Sequence, residues 1–379
     1  IHMKRILIDM THITPDKLYA SLSIYIFRIL DAIPVTERKN FVLLVPSELE
    51  DFTQQRYPDY SYILFPASRK HVSNNKLIRI TRQIQVYKKI VNSSNCDILF
   101  IANDLYPYTY IKTSLKKIVV IHDLKVIKEN PRSLVEKITR FANFHFYRNF
   151  MKHAEIIVAI SNYTKQDILE LYPTIQPSKI KVIYNSVLLA KDSTSPFRTS
   201  VPPNYLLYVN TLQPHKNIIT LLKAFNLIKE KIDHQIVIVG KETPYWKEKV
   251  VPYIQENQLE QRIIHLQNLS EEDLKYLYEH AQLFISPSLR EGFGYTPIEA
   301  AICKCPVICS TCEALPDTTQ NKLIYYHPPQ DTKALGDAIM HTLQNPPSAR
   351  QLNQISADYT NTYSCSKQVQ DFMFLFQNC

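Results

Sequence analysis

Short apolar runs rich in β-branched residues recur at wide intervals along the chain. In the first half they are Ile6-Leu7-Ile8, Phe41 to Val45, Ile98 to Ile101, Ile118 to Ile121, Ile156 to Ile160 and Val182-Ile183. Most are separated by stretches with helical spacing of apolar positions. Continuous apolar runs predict strands buried on both faces, and their alternation with helices predicts parallel βαβ units. The second half repeats the scheme with Leu206 to Val209, Ile236 to Val239, Ile263-Ile264, Leu283 to Ile285 and Val307-Ile308. Between the first two of these, Ile218, Leu221, Leu222, Phe225 and Ile228 form one apolar helical face. Ser270 to Asp273 has the form of a capping box ahead of a helix over Leu274 to His280.

The polar, proline-bearing stretch Lys191 to Pro196, followed by Pro202-Pro203, reads as a linker. It divides the chain near residue 190 into two Rossmann-like α/β domains with doubly wound parallel sheets. Their strands are expected to point their carboxyl ends at an interdomain cleft, where such sheets bind ligands. The chain has 379 residues, which gives room for two or three domains.

Composition narrows the function. The net charge of +9 suits an anionic partner such as a nucleoside diphosphate, anionic lipid or nucleic acid, and equally suits a solvated basic surface. The 24 tyrosines are scattered rather than interleaved with Lys and Arg on one face, so nucleic acid is not the expected partner. No apolar run approaches the ~20 residues that span a bilayer. No secretory leader is evident, and the seven cysteines make no spaced framework, so a reduced, cytoplasmic protein is expected. Ile1-His2-Met3 reads as an expression scar ahead of the native start. Cys303, Cys305, Cys309 and Cys312 raise the question of zinc, but Pro306 to Cys309 reads as a strand separating the two pairs, and no metal site is expected. The four glycines, Gly240, Gly292, Gly294 and Gly336, form neither a G-x-G-x-x-G nor a P-loop pattern.

Two of those glycines fall together. From Phe284 to Ala300 a buried strand ends, a loop carries Gly292 and Gly294, and a helix is predicted to begin near Thr296-Pro297. Its first amides, with Gly292, Phe293, Gly294, Tyr295 and Thr296, would make an anion site suited to a diphosphate. Glu291 stands where it can accept hydrogen bonds from sugar hydroxyls. Glu299, one turn into the helix, can hold ribose hydroxyls; as the alternative, Thr296-Pro297-Ile298-Glu299 fits a capping box. Two carboxylates beside a phosphate site favour a nucleotide sugar over a bare nucleotide. A second cluster, Asn210 to Asn217, follows a strand; Lys216 could reach the same diphosphate as a point charge, with His215 as a rival contact. In a third, His122 and Asp123 directly follow a buried strand, at a cleft mouth.

Together these clusters resemble the large EX7E family of retaining GT-B glycosyltransferases, glycosyl transferase group 1. The motif pair is Glu291 and Glu299, within P-S-x-x-E-G-F-G and E-A-x-x-C-x-x-P-V-I; P-x-K-N at Pro214 to Asn217 and H-D-L at His122 to Leu124 also correspond. The resemblance implies that Glu291 holds donor-sugar hydroxyls, Glu299 the ribose, Lys216 the leaving diphosphate, and the amides from Gly292 to Thr296 sugar and phosphate oxygens. His122 would reach the donor from the opposite domain, and a final helix, roughly Ala357 to Phe376, would cross back to the first domain. The sequence departs from the family at Thr211, where members often carry Arg, and in the glycine-free loop Thr11 to Ala20; His215 or Arg290 could substitute for the missing cation.

The implied reaction is retaining transfer of a hexose from GDP-mannose or a UDP-hexose to a saccharide or polyprenyl-linked acceptor, in surface polysaccharide synthesis. It would need neither metal nor other cofactor, because Lys216 and the helix amides would stabilise the leaving phosphate. The alternatives are a nucleotide-sugar epimerase of the same architecture and a catalytically silent scaffold. Two basic, apolar-bearing stretches, Lys76 to Lys89 and Lys137 to Lys152, either face an anionic membrane or pack their apolar faces on the sheet.

Overall fold

The computed structural model describes residues 4–66, 76–102, 112–131, 133–190 and 201–379. The N-terminal tripeptide and the expected linker from Lys191 to Pro196 lie outside the described residues. The chain divides into two compact units, Ile1–Ser186 with Cys365–Cys379, and Val187–Ser364.

The first unit holds seven strands: β1 Ile6–Asp9, β2 Phe41–Pro46, β3 Ser61–Phe65, β4 Ile98–Ile101, β5 Lys116–Ile121, β6 Ile156–Ala159 and β7 Ile180–Val182. They form one sheet in the order β3-β2-β1-β4-β5-β6-β7. Every pairing in it is parallel. The second unit holds β8 Tyr205–Val209, β9 Gln235–Val239, β10 Ile263–Leu266, β11 Leu283–Ser286, β12 Val307–Ser310 and β13 Ile324–Tyr326, in the order β10-β9-β8-β11-β12-β13. This sheet is parallel throughout as well. Both are therefore doubly wound Rossmann-like sheets. The winding direction reverses between β1 and β4 in one and between β8 and β11 in the other, and such switch points are where these sheets bind ligands.

The residues explain the elements. β1, β2, β4, β8 and β11 are buried along their whole length, which is what unbroken Ile/Val/Leu/Phe runs demand when helices cover both faces. In the helix Ile218–Ile228, Ile218, Leu221, Leu222, Phe225 and Ile228 pack into the core of the second unit, as their spacing predicts. Ser270 caps the helix Glu271–His280 by accepting from the Asp273 amide at 3.0 Å, so that helix opens earlier than Leu274.

The helix expected over 357–376 is two helices, Ala349–Thr362 and Cys365–Asn378. Between them Tyr363 is buried, its ring edge-on to Phe293 at 5.8 Å and its hydroxyl bonded to the Thr318 carbonyl. Anchoring that side chain ends the first helix. The second belongs to the first unit, where Phe372 and Phe376 meet Phe100 at 5.1 and 5.5 Å.

Candidate functional site

The helix that follows β11 runs Tyr295–Ile302, one residue earlier than the expected start, and its N-cap is Gly294 with φ 86°. The capping box that was the alternative reading for Glu299 does not form. A left-handed Gly294 delivers the chain directly into the first turn, leaving Thr296 inside the helix with no side-chain cap. Glu299 is thereby released from capping; its Oε2 instead accepts from the buried Tyr278 hydroxyl at 2.9 Å. The turn cannot be built from another residue without displacement, because a Cβ on Gly294 would lie 2.3 Å from Leu315 Cδ2. The amides of Gly292, Gly294 and Thr296 donate to no described protein group. Phe293 is a core side chain, 3% exposed, beside the half-buried Tyr295 at 4.9 Å, so its contribution to a ligand would be its backbone.

Just before this turn, Glu291 is 7% exposed. Its Oε1 accepts from Lys216 Nζ at 2.7 Å, from the Ser288 hydroxyl at 2.8 Å and, weakly, from Asn210 Nδ2 at 3.5 Å. Oε2 accepts nothing from the described residues and keeps its hydrogen-bonding capacity. Asn210 and Lys216 follow β8, whereas Ser288 and Glu291 follow β11. The pair thus bridges the carboxyl ends of the two strands that flank the switch point.

Several residues fix this geometry. Asn217 adopts φ 57°, a left-handed conformation that Asn tolerates better than most residues. Its Nδ2 donates to the Pro287 carbonyl at 2.9 Å and the Pro329 carbonyl at 3.0 Å, tying the Lys216 turn to the end of β11. His215, half-buried, accepts from the Leu289 amide at 2.8 Å through its carbonyl, a second tie between the same loops. Glu313 accepts from the Glu291 amide at 2.9 Å and from Arg290 Nε at 3.1 Å. Arg290, weighed above as a replacement for the cation lacking at Thr211, is thus engaged with Glu313. Thr211 itself is exposed, and its amide donates to Asn210 Oδ1 at 3.0 Å. Sequence reasoning placed Asn210 and Ser288 in its motifs without giving either a role, and passed over Glu313; the available signal was that each follows the carboxyl end of a strand at or beside the switch point.

In the first unit, His122 follows β5 and is half-buried. Its Nε2 donates to the Ala102 carbonyl at 2.9 Å, and Tyr25 packs edge-on at 4.8 Å. Burial, the largest influence, lowers its basicity against the opposing pull of that hydrogen bond and of Asp123. In the neutral ring the Nε2–H bond leaves Nδ1 as an acceptor. His12, in the loop after β1, is buried too; burial and then the charges of His122 and Lys17 lower its pKa to about 3.

Among the described residues, no three His, Cys, Asp or Glu side chains gather as a metal site. Cys305, Cys309 and Cys312 are buried thiols, with Cys309 in β12 as the strand reading required. No helix among the described residues is long and apolar enough to cross a membrane.

A doubly wound sheet carrying a polar cluster and unspent helix amides at its switch point is the arrangement of a nucleotide-binding α/β domain. The family Glycosyl transferases group 1 matches residues 193–358, and Glycosyltransferase Family 4 matches residues 40–191. The O-antigen chain mannosyltransferase RfbU of Salmonella typhimurium is 28% identical over 242 residues; the match covers 64% of this chain and 65% of that relative, so the chain spans slightly less than two thirds of it. The crystal structure of a glycosyltransferase from Rickettsia africae superposes with a TM-score of 0.75 over 100% of this chain and 99% of that one, at 18% identity. Anabaena HepE in complex with UDP superposes with a TM-score of 0.70 over 100% of both chains, at 14% identity. Each of the two glycosyltransferase families thus matches less than half of the chain, and the fold is the GT-B architecture of the glycosyltransferase structures it resembles.

Proposed function

We propose that this protein transfers a hexose, with retention, from a nucleoside-diphosphate sugar to a saccharide or lipid-linked saccharide acceptor in the synthesis of a surface polysaccharide. The observation that carries the reading is the buried Lys216–Glu291 pair at 2.7 Å beside the turn with unspent amides at Gly292, Gly294 and Thr296.

Each group has a task in that reaction. The amides and Lys216 stabilise charge building on the leaving diphosphate, a preorganised arrangement that needs no reorganisation as the bond breaks. Glu291 Oε2 accepts from a sugar hydroxyl while Oε1 holds Lys216 in place. Glu299 accepts from the ribose hydroxyls. His122, neutral, presents an acceptor nitrogen to a donor-sugar hydroxyl. Because the cations and amides belong to the chain, metal chelation should leave the rate unchanged within about twofold, a difference below ~0.5 kcal/mol in barrier.

GDP-mannose is the favoured donor, since the relative quoted above is named a mannosyltransferase; a UDP-hexose is the next choice, since HepE was crystallised with UDP. A thermal-shift panel of GDP, UDP and dTDP would identify the base, and incubation of labelled GDP-mannose and UDP-hexoses with lipid extracts would identify the transfer. Absence of stabilisation by all three nucleotides would overturn the reading. Isomerisation of the donor without acceptor would replace transfer by epimerisation.

A further inference from the structure

The helix Leu134–Lys152 has two apolar faces, and the sheet covers only one. Tyr147, Phe150 and Met151 are buried in the core of the first unit, with Phe144 packed against them. At 3.6 residues per turn, Leu134, Ile138 and Phe141 fall on the opposite side. There Leu134 is 73% exposed, Val135 73%, Ile138 62% and Phe141 67%. Large apolar side chains clustered on one exposed helical face mark a surface that meets something other than water. The stretch Lys76 to Lys89, which raised the same question, behaves differently: Ile84 packs against the core and Tyr87 is fully buried in it.

Along the same outward face the chemistry turns from apolar to basic. Arg148 and Lys152 come next, and with Lys179 they line an open cavity of about 690 Å³ whose wall also carries Thr174, Ser178 and Glu155. Among the described residues none of the three cations forms an ion pair with a carboxylate, although Glu155 on the same wall acts on Lys179 against its desolvation. Lys179 Nζ donates to the Lys152 carbonyl at 3.1 Å, which holds two of them together. Next to Lys152, His153 is shifted down by its desolvation first and then by Lys117, Lys152, Lys112 and Lys179, a sign of positive potential at this edge. Lys152 and Glu155 precede β6 and Lys179 precedes β7. The cavity therefore sits at the amino edge of the sheet, whereas His122 stands at the carboxyl edge.

A phospholipid surface asks for both halves of this face at once: apolar side chains to enter the acyl boundary and cations at the level of the phosphates. A nucleic acid would answer the cations and leave Leu134, Ile138 and Phe141 against water. We propose that the outward face of the Leu134–Lys152 helix docks on an anionic phospholipid bilayer, with headgroup phosphates entering the cavity of Arg148, Lys152 and Lys179. The donor site takes no part in this inference, so either can fail without the other.

The test is co-sedimentation of the full chain with vesicles of phosphatidylcholine, with and without a third of phosphatidylglycerol. Binding is expected only to the anionic vesicles and should fall as salt is raised. Ile138→Asp/Phe141→Asp and, separately, Arg148→Glu/Lys152→Glu should each weaken it roughly tenfold or more. Both variants alter exposed positions, so their melting temperatures and their stabilisation by GDP or UDP should match the parent. The proposal is overturned if the parent ignores anionic vesicles at low salt, or if both double variants bind as the parent does. It is equally overturned if single-stranded RNA or inorganic phosphate binds while vesicles do not.

Discussion

At the scale of single residues, the Lys216–Glu291 pair carries both structure and chemistry, and the two roles can be separated. The side chains are only 12% and 9% exposed, so removing one partner leaves a poorly solvated charge and should cost about 3 kcal/mol. Removing both should cost much less. Glu291→Ala and Lys216→Met are therefore each expected to lower the melting temperature, and the double variant to recover most of it. Transfer should remain at least ~10²-fold down in all three, as for loss of a preorganised electrostatic group; recovery of transfer with stability would make the pair merely structural. A second buried cation gives a pH test. Lys117, 2% exposed in β5, is lowered to about 8 by burial, opposed by Asp9. Its folded pKa lies below its unfolded one, so the unfolded chain binds more protons between about pH 8 and 10.5, and the stability contributed by this group rises with pH across that window. Lys117→Met should be more stable than the parent at pH 7 by up to about 3 kcal/mol, an advantage that shrinks to nothing by pH 10.5; denaturant melts across that range would show it, and a constant difference would contradict it. Glu291 and Lys216 were legible because each sits a few residues past an unmistakable apolar run. Asn210 and Glu313 were given no role because their contacts with Glu291 join loops distant in sequence, whereas Ser288, only three residues from Glu291, was a local partner that was overlooked. Only the strand order brings those distant loops together.

Elements were legible in proportion to their burial. The strands flanked on both sides in each sheet are continuous apolar runs and stand out in the sequence. Two edge strands do not: β3, with Ser61 exposed and Tyr62, Ile63 and Leu64 half-buried, and β13, only three residues long. An edge strand needs apolar residues on fewer contacts, so its pattern weakens just where the sheet ends. The helix after β11 starts at Tyr295, one residue before the expected Thr296-Pro297, for a different reason. Thr296-Pro297-Ile298-Glu299 satisfies a local capping rule, but Gly294 takes a left-handed turn where the Leu315 side chain, distant in sequence, leaves no room for a Cβ. Two glycines test that account in opposite directions. Gly294→Ala combines positive φ with a 2.3 Å clash, so it should destabilise the second unit by roughly 1–3 kcal/mol and abolish stabilisation by nucleoside diphosphates. Gly336, inside the helix Thr332–Gln344, has its nearest neighbour at 3.5 Å from a built Cβ, and Gly336→Ala should stabilise by about 0.5–1 kcal/mol while leaving nucleotide binding intact. Thermal melts with and without GDP or UDP read both effects; nucleotide binding retained in Gly294→Ala would detach the turn from the site.

For the whole molecule, the two repeats of strands and helices announced two similar units, and both sheets are wound as expected. The pattern of the last helix, Cys365–Asn378, is amphipathic in a way that fits any apolar surface, so its return to the first domain was an expectation of the family resemblance alone. Its partners decide the matter: Phe372 and Phe376 stack on one another at 6.0 Å and meet Phe100 and Phe41, all in the first unit. Chain continuity therefore makes the second unit an insertion, entered after Ser186 and left after Ser364. The first unit can complete its core only after the second has been synthesised. Phe372→Ala opens a cavity among fully buried aromatic side chains and should cost the first unit about 3–5 kcal/mol. The second unit, which holds the turn at Gly294 and the Lys216–Glu291 pair, keeps all its own contacts. Melting of Phe372→Ala should then resolve into an early transition that GDP or UDP leaves in place and a later one that the nucleotide raises. A single transition shifted as a whole by nucleotide would mean instead that the units unfold together, and that the terminal helix supports the donor site as much as the sheet it covers.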